Sequence, residues 1–205
     1  QHRRNLSFNS NIFELAIQGD FNFFKFVPGD PDHSFTPYVT FGAGIFSYDP
    51  YAFLAGKKYF LRPLGTEGQG SAAYPGRTPY NTMAFSFPIG VGVKYAINDR
   101  MNVGVEVAHR FTSTDYLDDV STTYVDSATL FAAKGAQAVA FAYRGAEIHG
   151  APAYPADGSQ RGNPNIKDWY YTTVFRLGYR LFTGSGYNGG SRGKKSSLGC
   201  PTKIY

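Results

Sequence analysis

Over much of the chain, apolar and polar side chains alternate with a period of two, the pattern of a strand with one face in an apolar medium and the other in a polar one. From Asn11 to Phe24, one face carries Phe13, Leu15, Ile17, Phe21 and Phe23, and the other Glu14, Gln18, Asp20 and Asn22. The pattern returns over 35–47 (Phe35, Val39, Phe41 and Ile45 against Thr36, Tyr38 and Thr40) and over 84–97 (Phe85, Phe87, Ile89, Val91, Val93 and Tyr95 against Ser86, Gly90, Gly92 and Lys94). It also covers 101–112 (Val103, Val105, Val107, His109 and Phe111 against Gly104, Glu106 and Arg110) and 170–182 (Tyr171, Phe175, Leu177 and Tyr179 against Thr172, Arg176 and Arg180). Each run reaches the roughly 9–11 residues that a tilted strand needs to cross a bilayer. The strands of a soluble β-sandwich average only about 5–6 residues. Pro37 and Pro88 fall inside these runs, where proline cannot donate to a ladder.

The connections carry a second signal. Asn98-Asp99-Arg100 makes a tight hairpin, and Val27 to Ser34 is short. Tyr48 to Met83 and Ser113 to Trp169 are long and rich in Gly, Pro, Tyr and Ala. Outer-membrane barrels alternate short periplasmic turns with long extracellular loops in this way. The expected fold is therefore all-β, a transmembrane antiparallel up-and-down β-barrel occupying residues 1–182. Residues 183–205 are expected to form a basic periplasmic tail. The smallest barrels of this class have about eight strands, and five cannot close without unpaired edges in lipid. On that count the first strand here is the fourth, three strands lie upstream of this sequence, and Gln1–Ser10 ends an extracellular loop. A separate partner sheet completing the barrel is the other solution.

Composition sharpens this picture. The 205 residues include 16 Tyr, 18 Phe and 24 Gly, and only 17% are charged, below the roughly 25% of soluble domains. No run is long and apolar enough for a membrane helix. The mean hydropathy of −0.30 suits a barrel that exposes alternate residues to lipid.

The predicted inward face carries Glu14, Asp20, Lys94, Glu106, Arg110, Arg176 and Arg180. A barrel of about eight strands is just wide enough for side chains to fill, so these groups are expected to pair across the lumen. A small passive channel with a charge filter is the alternative. His2, His33, His109 and His149 are scattered without metal-ligand spacing, and His109 falls on a lipid-facing position near the rim, where a structural role is expected. No G-x-S-x-G element places Ser7, Ser86 or Ser113 beside a histidine, so a lipid-modifying rim hydrolase is the weaker reading and no enzyme activity, cofactor or metal is expected. Asp115-Tyr116-Leu117-Asp118-Asp119 lacks the EF-hand pattern and reads as a solvated loop cap. Leu64 to Gly70 lacks the G-K-[ST] of a phosphate loop and reads as a folded extracellular turn. The net charge of +5 comes with no nucleic-acid fold signature. The tail holds Arg192, Lys194, Lys195, Lys203 and the single Cys200, a partner-binding set for an acidic surface or anionic headgroups. An odd cysteine in an oxidising compartment points to an intermolecular disulfide.

Several ordered motifs carry a resemblance. Arg4-Asn5-Leu6-Ser7-Phe8 leads to Glu14, followed by Phe35-Thr36-Pro37-Tyr38, Leu64-Gly65-Thr66-Glu67-Gly68-Gln69-Gly70 and Pro88-Ile89-Gly90-Val91-Gly92-Val93-Lys94. Arg110 with Thr114-Asp115-Tyr116-Leu117-Asp118-Asp119-Val120-Ser121 is the most specific, and Cys200-Pro201 fits the C-terminal end. In this order the chain resembles the PorG family, outer-membrane barrels of the type IX secretion system. The segment 122–168 carries none of these motifs. The resemblance implies a non-enzymatic anchor that ties the outer membrane to a periplasmic ring of the lipoprotein PorK and its partner PorN. The translocation pore itself would be a different, larger barrel.

Overall fold

The computed structural model describes residues 5–150 and 152–181. Its elements are β1 (Asn9–Asn22), β2 (Phe35–Leu54), β3 (Lys57–Phe60), β4 (Met83–Ala96), β5 (Met101–Thr112), α1 (Ser127–Lys134), α2 (Ala136–Ala142) and β6 (Trp169–Tyr179). The strands form one antiparallel sheet in the order β1-β2-β4-β5-β6, with β3 hairpinned onto the far end of β2.

The five expected strands are present, with ends shifted by up to three residues except at the C-terminal end of β2, which runs seven residues further. The Tyr48–Met83 stretch is not all loop, because β2 continues to Leu54 and turns back into β3. Ala55 (φ 50°) and Gly56 (φ 77°) are both left-handed, as a two-residue type I′ hairpin requires. At the opposite end, the Asn98 carboxamide oxygen accepts from the Arg100 and Met101 amides (2.9 and 2.8 Å) and fixes the β4–β5 turn. The prolines fit the ladders as bulges or ends do. The β2–β4 pairing skips the register opposite Pro88, and Pro37 sits one residue past the last β1–β2 pair, Asn22↔Tyr38.

The sheet is inverted relative to a soluble one. Its convex face is apolar and open, with Leu15 84%, Ile17 86% and Phe175 80% exposed. Its concave face is polar and covered, with Thr36, Tyr38, Thr40, Ser86 and Glu106 all buried. The sheet is also strongly curled. Four strand spacings separate β1 from β6, about 19 Å if flat, yet Asp20 of β1 meets Arg176 of β6 at 3.1 Å. β1 and β6 are not paired with each other among the described residues, so the sheet is an open trough.

The long connections fold into a cap over one end of the trough. Phe46, Tyr48, Tyr80, Ala84 and Leu117 form the apolar core between the sheet and this cap. Two short alanine-rich helices, α1 and α2, stand where a loop was expected. The Asp126 carboxylate caps α1 by accepting from the Thr129 amide at 2.8 Å. Leu130, Ala138 and Ala142 pack around Val125, and Phe141 packs against Ala52 and Leu61 under the β2–β3 hairpin.

Candidate functional site

Six of the seven charged residues expected on the inward face meet on the concave surface. Asp20 accepts from Lys94 (2.9 Å) and Arg176 (3.1 Å), and Arg176 also reaches Glu106 (2.5 Å). The Tyr38 hydroxyl donates to the same Glu106 carboxylate at 2.9 Å. One layer nearer the cap, Arg110 pairs with Glu14 at 2.7 Å, Ser86 donates to Glu14 at 2.5 Å, and Arg110 donates to the Thr172 hydroxyl. Strand alternation aims all these side chains inward, and the curl brings β1 acids within reach of β5 and β6 bases. Three acids and three bases leave this network neutral. Glycines give it room: a Cβ at Gly92 would lie 2.5 Å from the Tyr38 ring, so only glycine lets that ring lie flat on β4 and reach Glu106.

Arg180 does not join the network. The β5–β6 ladder ends at Met101↔Tyr179, so Arg180 lies past it, exposed, with no ion pair among the described residues. Cys200, Arg192, Lys194, Lys195 and Lys203, together with Phe182 and the rest of the tail, lie outside the described residues.

The cap holds a second, fully buried charge cluster that strand alternation does not reveal. Glu67 accepts from Arg161 (2.9 Å), from the Ser121 and Thr122 amides (2.9 and 3.1 Å) and from the Thr122 hydroxyl (2.6 Å). Arg161 also donates to the Asp119 and Ala142 carbonyls. The Asp119 carboxylate accepts from Thr66 (2.5 Å) and Tyr80 (2.7 Å), which holds Asp119 at a left-handed φ of 64°, costly for a residue with a Cβ. Leu64–Gly70 and Thr114–Ser121 are thus one knot. The aspartate run, expected to be a solvated loop cap, is instead largely folded inward, because Asp115 and Asp119 are buried with partners of their own. Burial pushes the Asp119 carboxyl up to about 6. Burial, and then the neighbouring Asp118 charge, raises Asp168 to about 6. Burial and the adjacent Asp119 also raise the Tyr80 phenol. No three metal-ligating side chains cluster among the described residues.

His109 faces outward, as expected, stacked on Trp169 (4.9 Å between centroids) and against Phe111 and Tyr171. Ser86 faces inward toward Glu14, Ser7 lies near Arg144 (3.4 Å), and the Ser113 hydroxyl accepts from the Phe85 amide.

A domain of unknown function, DUF6089, matches residues 1–62, the stretch that contains β1, β2 and β3. No curated protein and no solved structure matches the chain.

Proposed function

We propose that this chain is part of an outer-membrane β-barrel and that it serves a type IX protein secretion system as a non-enzymatic anchor. The observation that carries the membrane reading is the inversion of the sheet. An apolar convex face over strands of 11 to 20 residues would cost heavily in water, while the concave face is polar and internally paired. A neutral network of ion pairs filling the trough favours a plug over a conducting pore. The step from barrel to secretion rests on the ordered PorG-like motifs, from Asn5-Leu6-Ser7-Phe8 to Thr114–Ser121. The most specific of these, Thr114–Ser121, knots together with the Leu64–Gly70 motif in the cap. In this role the barrel supplies position, and the basic tail with Cys200 holds the PorK/PorN ring, through a disulfide to a ring subunit.

The test is affinity purification of the full-length protein from membranes, with and without reductant, followed by mass spectrometry. Ring lipoproteins should co-purify and be released by reductant, and Cys200→Ser should abolish the reducible species. Recovery of the bare barrel under mild extraction would overturn the anchor role.

A further inference from the structure

The β2–β3 hairpin projects beyond the apolar belt, and its two faces differ. One packs Ala52 and Tyr59 onto Phe141 of α2. The other continues the convex face of β2, and nothing packs on it among the described residues. On it Tyr51, Phe53 (49% exposed) and Phe60 (43%) stand edge to face, and the Lys58 ammonium lies over the Tyr51 and Phe60 rings at 3.7 and 4.6 Å. Beneath Phe60 is an open groove of about 590 Å³, lined by Phe13, Ser47, Asp49, Phe60, Arg62 and Thr82. Its lower wall, Phe13, belongs to the apolar belt. Arg62 is steered by the bond from its Nε to the Tyr80 carbonyl (2.8 Å). Neither Arg62 nor Lys58 has an ion-pair partner among the described residues, and Asp49 is the one acid on the wall.

Height along the strand says what could lie here. Asp49 is four residues above Ile45, the last apolar residue on the outer face of β2 before Ser47. That is about 13 Å along the strand and roughly 10 Å along the normal at a 35–45° tilt, the level of lipid headgroups. The geometry points to this groove as a binding site for the phosphorylated saccharide headgroup of an outer-leaflet lipopolysaccharide. Arg62 and Lys58 take the phosphate, the rings of Phe60 and Tyr51 meet the sugar faces, and Phe13 meets the first acyl carbons. The site rests on the outer-membrane reading, and its occupant follows from charge complementarity and from the continuity of the groove with the belt.

The experiment uses the full-length protein, first floated with liposomes and then titrated in detergent with rough lipopolysaccharide, before and after enzymatic removal of its phosphates. A basic side chain near an anionic surface strengthens binding roughly fivefold. The variant R62Q/K58Q should therefore weaken binding of the phosphorylated form roughly thirtyfold and leave the dephosphorylated form unchanged. Lys25→Gln, at the opposite end of the trough, should change neither. Equal binding of the two forms by the unmodified protein, or equal loss for both in R62Q/K58Q, would overturn the site while leaving the membrane reading intact. Failure to float with liposomes would overturn both.

Discussion

Replacing Glu67 by alanine should open the cap and spare the sheet. Glu67 is fully buried and Arg161 nearly so, with side chains 0% and 2% exposed. Removing the carboxylate takes away the ion-pair partner that Arg161 meets at 2.9 Å and strips the acceptor from the Ser121 and Thr122 amides. Breaking one partner out of a buried pair costs about 3–5 kcal/mol, a large fraction of the 5–15 kcal/mol that holds typical domains together. Because the cap makes its own apolar core and its own charge cluster, the loss should be local. Hydrogen exchange read by mass spectrometry on peptides covering 62–80 and 114–125 should accelerate roughly a hundredfold to several thousandfold, while β4 and β5 peptides keep their protection. The double variant E67M/R161M should recover part of the loss, because it removes both members of the buried pair rather than one. Unchanged exchange in E67A, or equal acceleration in cap and strands, would refute the idea that this knot holds a separable cap.

Other expectations follow from the same geometry. The raised Asp119 and Asp168 carboxyls favour the protonated form in the folded cap. Their contribution is present in full below about pH 4 and is lost as pH rises through about 6, so protection factors at Thr66 and Tyr80, taken relative to the unfolded chain at each pH, should rise on acidification from pH 7 to 5, and Asp119→Asn should flatten that response. Gly92→Ala should push the Tyr38 ring off Glu106 and lower unfolding stability by about 1–3 kcal/mol, measured by denaturant titration in lipid vesicles. Gly56→Ala has open space around it but a left-handed φ of 77°, so it should cost about 1–2 kcal/mol through backbone strain alone. Glu14→Ala should strand Arg110, and the double variant E14A/R110A should be less destabilised than the sum of the two single changes.

The strands were legible because each has one apolar face and one polar face, and that contrast is written at every second residue. The signal stopped where the contrast stopped. Above Ile45 the outer face of β2 turns to Ser47 and Asp49, and Pro50 follows, so the strand outruns its own pattern and the β2–β3 hairpin was missed, although Ala55-Gly56 is a turn pair. The helices α1 and α2 are small-residue segments wedged between loops, with no broad polar face to set a 3.6-residue period. Six lumen charges followed from parity alone. Arg180 has the right parity but lies past the last β5–β6 pair. Glu67 and Arg161 are 94 residues apart, and nothing local couples them. The signal available was the composition of the Leu64–Gly70 and Thr114–Ser121 motifs, which are rich in polar residues that a solvated loop would not need.

The membrane reading is tested most directly by placing arginine on the convex face at different heights. Val91 is 63% exposed and is flanked across both ladders by Val39 and Val107, in the middle of the apolar belt. Asn11 lies near the cap end of β1. With the protein reconstituted in lipid vesicles and unfolded by denaturant, Val91→Arg should cost about 2–4 kcal/mol and Asn11→Arg about 0–1 kcal/mol. If Val91→Arg instead proved neutral to within about 0.5 kcal/mol, as for an ordinary surface site in water, the convex face would not be in lipid and the account would fail.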